Sequence, residues 1–256
     1  MSRTGLGKCR LCLREGNLSN SHVIPEFLYL PMYDEKHRLL QIPADSSRSL
    51  VWKQKGLREY LLCASCDNQF GKHEDYAKYL LYGGRLPVAD VENTDTHAVC
   101  EHVDYRAFKL FQMSILWRAG ITSLPFFAQV TLDSHAETLR SMLLAGDPGP
   151  SQQYGCAMMA LLDGHEICDM VRTPDRIEME EEDCFRFIMG GFLWLFFLSQ
   201  PTGDNPMSHL FIQENGRMCL LKDDIRNLEF FGLDRRLMAA RKPDVEALTD
   251  RRKRRS

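Results

Sequence analysis

The chain has 256 residues, 44% of them hydrophobic, and a formal net charge of −3 at pH 7. That apolar content can bury one large core or two smaller ones, which excludes a disordered chain or one that depends on disulfides. Nine cysteines, no apolar leader after Met1, and no apolar run longer than Phe192–Leu198 are expected of a cytoplasmic chain with free or metal-bound thiols and no membrane span.

The charge is unevenly spread: residues 1–90 hold 13 Lys/Arg against 10 Asp/Glu, and residues 91–250 hold 14 against 25. This divides a mildly basic module from an acidic body. The expected organisation is a zinc-binding module over 1–87, a polar connector over 88–101, an α+β domain over 102–241 and a basic tail over 242–256. The tail ends in Arg251-Arg252-Lys253-Arg254-Arg255, a run suited either to a solvated end or to a nonspecific nucleic-acid arm.

In chain order, the first feature is the pair Cys9/Cys12, followed by a turn at Glu15-Gly16-Asn17 and an extended piece from Leu18 to Pro25. Proline disfavours helix in the residue before it, which sets the end of that piece. Glu26–Tyr33 supports a helical turn or two, and Leu40–Val51 reads as loop. Arg48, Lys53, Lys55 and Arg58 gather around Trp52, a pattern that suits a phosphate backbone and equally a charged surface loop.

The second pair, Cys63/Cys66, precedes a helix beginning at or just after Cys66, with Phe70, His73, Ala77 and Leu80 at helical spacing. His73 is expected in the core or at the surface rather than as a ligand. Two Cys-x-x-Cys pairs can close a tetrahedral thiolate shell, because each delivers two sulfurs from one tight turn. Cys9, Cys12, Cys63 and Cys66 are therefore the expected ligands of one structural zinc ion. The other five cysteines are expected to be unmodified thiols in the core.

In the body, Tyr105–Ala119 has the pattern of an amphipathic helix, Phe126–Val130 of a strand, and His135–Ala145 of a helix capped by Ser134 and ended at Gly146. Tyr154–Leu162 and His165–Arg172 flank Asp163-Gly164 as a hairpin, and Phe185–Ser199 is β-rich apart from Gly190-Gly191. His209–Gln213 and Arg217–Leu221 flank Asn215-Gly216 as a second hairpin, and Asp223–Arg241 has helical character. The fold class is thus α+β.

The order clip, Ser21-His22-Val23-Ile24-Pro25, clip and helix resembles that of HNH endonucleases, the ββα-metal group built on a treble-clef zinc scaffold. The resemblance rests on Cys9-Arg10-Leu11-Cys12, on the His-x-x-Pro segment and on Leu61-Leu62-Cys63-Ala64-Ser65-Cys66-Asp67-Asn68, and covers roughly a third of the chain. It implies metal-dependent hydrolysis of phosphodiester bonds in DNA, with His22 as general base and a catalytic Mg²⁺ or Mn²⁺ ion. It also looks like a bacterial branch of the group in which an α+β body follows the zinc module. Compact nucleases of this kind work in multi-protein systems, bacterial defence among them, which would make the acidic body a partner-binding domain.

One departure stands out, because family members carry Asp or His where this chain has Ser21, and a hydroxyl is a poor ligand. The resemblance then assigns the metal to Asp67, with Glu74 two helical turns further on the same face. Asn68 either holds the His22 ring or caps the helix. The alternative function is a non-catalytic zinc module that binds nucleic acid or a protein. A thiol oxidoreductase is disfavoured, since the βαβ pattern that accompanies redox clips is absent.

Overall fold

The structure, a computed structural model, describes residues 5–41, 51–54, 56–83, 89–164, 166–167, 170–179, 182–198 and 205–228. The chain opens with β1 (Gly5–Lys8) and β2 (Glu15–His22), an antiparallel hairpin whose loop carries Cys9 and Cys12. The expected turn at Glu15-Gly16-Asn17 is therefore strand. The reversal falls earlier, at the first clip, where Leu13 adopts φ +61° and its N–H bonds the Cys9 carbonyl at 2.9 Å. A 3-10 helix follows over Glu26–Met32, entered from extended Pro25.

Next come β3 (Arg38–Gln41) and β4 (Val51–Gln54), which pair with each other, so the ends of the expected loop Leu40–Val51 are strand. β5 (Arg58–Cys63) then runs antiparallel to β2 and completes a three-stranded sheet ordered β1-β2-β5. Helix α1 (Ala64–Tyr82) starts before the expected point, with Cys63 at its N-cap and Cys66 in its first turn.

The stretch expected as a connector carries strands over its described residues. Within them β6 (Asp90–Asn93) and β7 (His97–Glu101) form an antiparallel pair at one edge of the large sheet. Helix α2 (Tyr105–Ile121) starts at Asp104, whose carboxylate accepts the Ala107 N–H at 2.9 Å. The helix is not amphipathic in place: every residue from Phe108 to Ala119 is buried, including Lys109, Gln112, Ser114 and Arg118. It is enclosed because α1, α3 (His135–Ala145) and the large sheet all pack around it.

The expected strand Phe126–Val130 is instead a 3-10 turn, Pro125–Phe127, with Pro125 at its start, where a missing N–H costs nothing. Ser134 occupies the N-cap of α3 but its side chain makes no capping bond, while Gly146 ends the helix in the left-handed region at φ +67°.

The remaining strands are β8 (Cys156–Asp163), β9 (Glu166–Ile167), β10 (Arg172–Met179), β11 (Glu182–Met189), β12 (Phe192–Phe197) and β13 (Met218–Asp224). Their order is β10-β11-β12-β8-β13-β7-β6, with β9 attached only to the end of β8. The first expected hairpin is thus cut short. A strand has two edges, and β12 and β13 occupy those of β8 over most of its length. The second expected hairpin is absent: Ser208–Leu210 is a 3-10 turn, and β13 pairs with β7 and runs parallel to β8. Asp223 and Asp224 end β13, Ile225–Asn227 is a 3-10 turn closed by extended Leu228, and the expected helix from residue 229 on and the basic tail lie outside the described residues.

Phe192–Phe197 shows why the sheet is central. Phe192, Trp194 and Phe196 join the cluster around α2, while Leu193, Leu195 and Phe197 join a second cluster with Leu161, Leu210 and Phe211. Alternation at period two puts each set on its own face, so both faces of the strand are apolar. The first cluster also crosses from module to body. Phe27 lies against Phe111 at 5.8 Å between ring centroids, Phe70 against Trp117 at 6.2 Å, and Tyr82 donates to the Gly190 carbonyl at 2.7 Å. No helix among the described residues is long and apolar enough to cross a membrane.

Candidate functional site

The sulfurs of Cys9, Cys12, Cys63 and Cys66 all lie within 4.8 Å of one another. Cys9 and Cys12 come from the β1–β2 loop, and Cys63 and Cys66 from the junction of β5 with α1. The Arg10 N–H binds the Leu61 carbonyl at 2.9 Å, which holds one clip against the other. A tetrahedral shell with Zn–S bonds of about 2.3 Å sets neighbouring sulfurs about 3.8 Å apart. Cys12 and Cys63 are 3.9 Å apart, so the cluster is close enough to hold one metal ion and is compatible with structural zinc. Burial raises the Cys9 thiol, but hydrogen bonds from the backbone at Cys12, Cys63 and Leu11 outweigh it and bring the pKa to about 7. Cys66 is pushed up by burial and by hydrogen bonds to its partner thiols. Cys9 therefore ionises before Cys66.

Of the other cysteines, Cys100, Cys156 and Cys184 are buried as expected, Cys219 is half-buried, and Cys168 lies outside the described residues. Among the described residues, the four-cysteine cluster is the only group of three or more His, Cys, Asp or Glu side chains placed to hold a metal ion.

Beside it opens a cleft of about 390 Å³, lined by Asn20 and His22 of β2, Arg58 of β5, Arg118 of α2, and Asp67, Asn68, Gly71, Lys72, Glu74 and Asp75 of α1. The four candidates His22, Asp67, Asn68 and Glu74 thus share one cavity. They do so because β2 and β5 are paired, with His22 opposite Arg58, and because residues 67, 71 and 74 recur on one face of α1.

Each candidate has a distinct setting. His22 Nε2 accepts from Arg58 Nε at 2.7 Å and also contacts a carboxylate oxygen of Glu26. Burial and the charge of Arg58 lower its pKa to about 4, against the opposing pull of Glu26, so the ring is neutral near pH 7. Glu74 is paired with Arg118 at 2.8 Å rather than open to a ligand. Asp67 is half-buried and makes no hydrogen bond or ion pair among the described residues, and Asn68 is exposed. Ser21, the departure from the family pattern, points away from the cleft: it is buried, and its hydroxyl donates to the Ser19 carbonyl at 3.4 Å. His73 is half-buried, and burial lowers its pKa.

Of the four basic candidates, Arg58 lines the cleft. Its Nη2 donates to Glu26 at 3.2 Å. Lys53 lies on β4, and Arg48 and Lys55 are outside the described residues.

Compared with protein-family models, curated proteins and solved structures, the chain matches none.

Sequence reasoning does not single out Arg118, which lines the cleft, or Glu26, which lies beside it. Glu26 falls at the start of the expected helical segment, and its place four residues after His22 is the available signal. Arg118 lay inside a helix read as amphipathic. Its Nη1 donates to the His22 carbonyl at 2.8 Å, its Nε and Nη2 bind the Ser114 carbonyl and hydroxyl at 3.2 Å, and its guanidinium sits 5.4 Å from the Phe70 ring centroid. One buried cation from the body therefore fixes both walls of the cleft. No sequence signal marked it.

Proposed function

We propose that the protein is a metal-dependent endonuclease of HNH type that hydrolyses phosphodiester bonds in DNA, with its cysteine cluster holding a structural zinc ion in a treble-clef-like module. The observation that carries this reading is the neutral His22 lining one cleft with Asp67 and Asn68, next to the four cysteines. A neutral imidazole can accept a proton from an attacking water, which is the task of a general base. Arg58 and Lys72 offer cationic groups in the same cleft for a phosphate.

The described residues do not form a ready-made cage for a catalytic ion. Mg²⁺ and Mn²⁺ sites that use one or two carboxylates together with substrate phosphates need no such cage. Asp67, an unpaired carboxylate of the cleft, would hold the ion, which when bound would stabilise charge on the leaving oxygen. Glu74 instead braces the wall through Arg118.

A second reading, a non-catalytic zinc module that binds nucleic acid or a protein, is favoured by the Arg58 bond to His22 Nε2, which occupies a nitrogen that a base needs free. Cleavage assays separate the two. Plasmid DNA, assayed beside single-stranded RNA with Mg²⁺ or Mn²⁺, should be cut by the wild type, and His22→Ala should lower the rate about a hundredfold to ten-thousandfold. Absence of cleavage of either substrate, together with unchanged nucleic-acid binding by His22→Ala, would leave the binding module as the function.

A further inference from the structure

Glu26 is the centre of the most connected polar cluster beside the cleft. One carboxylate oxygen accepts from Tyr33 Oη at 2.9 Å and faces His37 Nε2 at 3.1 Å, while the other accepts from Arg58 Nη2 at 3.2 Å and contacts His22 Nε2. The backbone brings it there. Val23 and Ile24 are buried, and extended Pro25 turns the chain from β2 into the 3-10 helix, so Glu26 comes back against the ring of His22. Where the family pattern led to an acid just before the histidine, this chain has one four residues after it.

We propose that Glu26 is the positioning residue of His22: its carboxylate accepts the Nε2 proton and so fixes the tautomer in which Nδ1 carries the lone pair. The catalytic meaning of this dyad rests on the nuclease reading, since a base needs that lone pair free. Two groups contend for Nε2. If Arg58 donates to it, the ring proton sits on Nδ1 and His22 has no basic nitrogen to offer; if Glu26 accepts from it, Nδ1 is basic. Nδ1 makes no hydrogen bond among the described residues, and the His22 side chain keeps 17% of its exposure.

Glu26 prevails for two reasons. Its carboxylate oxygen lies in contact with Nε2, and without a proton between them two lone-pair acceptors would face each other and repel. Burial would raise the Glu26 pKa, yet bonds from Tyr33, Arg58 and His37 and its interaction with His22 hold it below the usual range, so it is ionised at neutral pH. Arg58 also keeps a partner when it yields Nε2, because its Nη2 bond to Glu26 remains. The other charged groups lining the cleft with His22 are Arg118 from α2 and Asp67, Lys72, Glu74 and Asp75 from α1, and Glu74 is already paired with Arg118.

The test is two-bond ¹⁵N–¹H correlation spectroscopy of the full chain labelled with ¹⁵N-histidine, near pH 7.5, with the His22 signals identified by their loss in His22→Gln. The wild type should show the Nε2–H pattern. Glu26→Gln should shift His22 several-fold toward Nδ1–H, and Glu26→Asp, which withdraws the carboxylate by one methylene and keeps its charge, should shift it part of the way. His37→Ala should leave it unchanged. A wild-type Nδ1–H pattern overturns the proposal, and so does an unchanged pattern in Glu26→Asp, which decides the matter should Glu26→Gln fail to fold. Parallel cleavage assays keep the two readings apart. A Glu26-dependent Nε2–H pattern without cleavage supports the dyad and removes the nuclease, whereas cleavage with a Glu26-independent tautomer removes the dyad alone.

Discussion

Arg118→Met isolates the link between the two halves of the molecule. Methionine has a similar reach and no charge, so the change removes the ion pair to Glu74, the bond to the His22 carbonyl and the contact with Phe70, without opening a large void. Breaking a buried pair from one side costs about 3–5 kcal/mol when the partner is left stranded. Glu74 keeps 21% of its side-chain exposure, so water can reach its carboxylate and the cost falls toward the lower end of that range. Losing the donor to a buried carbonyl adds about 1 kcal/mol or more. The expected total is about 3–4 kcal/mol, which for a chain of this size lowers Tm by about 6–16 °C. Glu74→Gln alone should cost less, and the double variant Arg118→Met/Glu74→Gln should be more stable than the sum of the single effects by at least about 1 kcal/mol. Thermal unfolding followed by circular dichroism gives all three values. A fall in Tm below about 2 °C for Arg118→Met, or strict additivity in the double variant, would refute the role assigned to this cation.

Metal analysis of the wild type should return one zinc per chain, and Cys63→Ser should lose it and unfold the module, because metal binding supplies folding energy that short hairpins lack; a metal-free wild type refutes this. The depressed pKa of His22 has a sign in stability. The unfolded ring takes its proton near 6.5 and the folded one near 4, so stability drops as pH falls through that window, by at most about 3 kcal/mol, and denaturant melts of His22→Gln should lack that part of the pH dependence. Asp67→Ala should lower cleavage while leaving zinc content and melting unchanged, and high Mn²⁺ should restore part of the rate if Asp67 holds the ion. A fragment of residues 89–228 should fail to give a cooperative transition, since it would expose Phe111 and Trp117, which pack on Phe27 and Phe70; a sharp melt would show that the body folds by itself.

The zinc-type cluster was legible in the sequence because its information is local: two x-x spacings each set two sulfurs in one turn, and little else is compatible with both. The helix after the second clip and the β12 segment Phe192–Phe197 were legible for the same reason, through spacing and apolar content. The expected division into module, connector and body was a different matter, since it rested on charge and on a polar stretch that includes residues 90–101, and neither reports pairing. Those residues became the edge of a sheet because β13, more than a hundred residues later, offered them a partner. The two expected hairpins failed likewise, because turn signals name a reversal but cannot say which strands already hold the available edges. The four candidates around His22 were named from a resemblance, and only tertiary packing brought them to one cleft. Packing alone decided their state: it gave Glu74 to Arg118, turned Ser21 inward and put Glu26 against the ring of His22. The chain order says which groups exist, but the field and hydrogen bonds that set the protonation of His22 arise from Glu26, Arg58 and Arg118 on three separate elements, and those meet the histidine only in the folded chain.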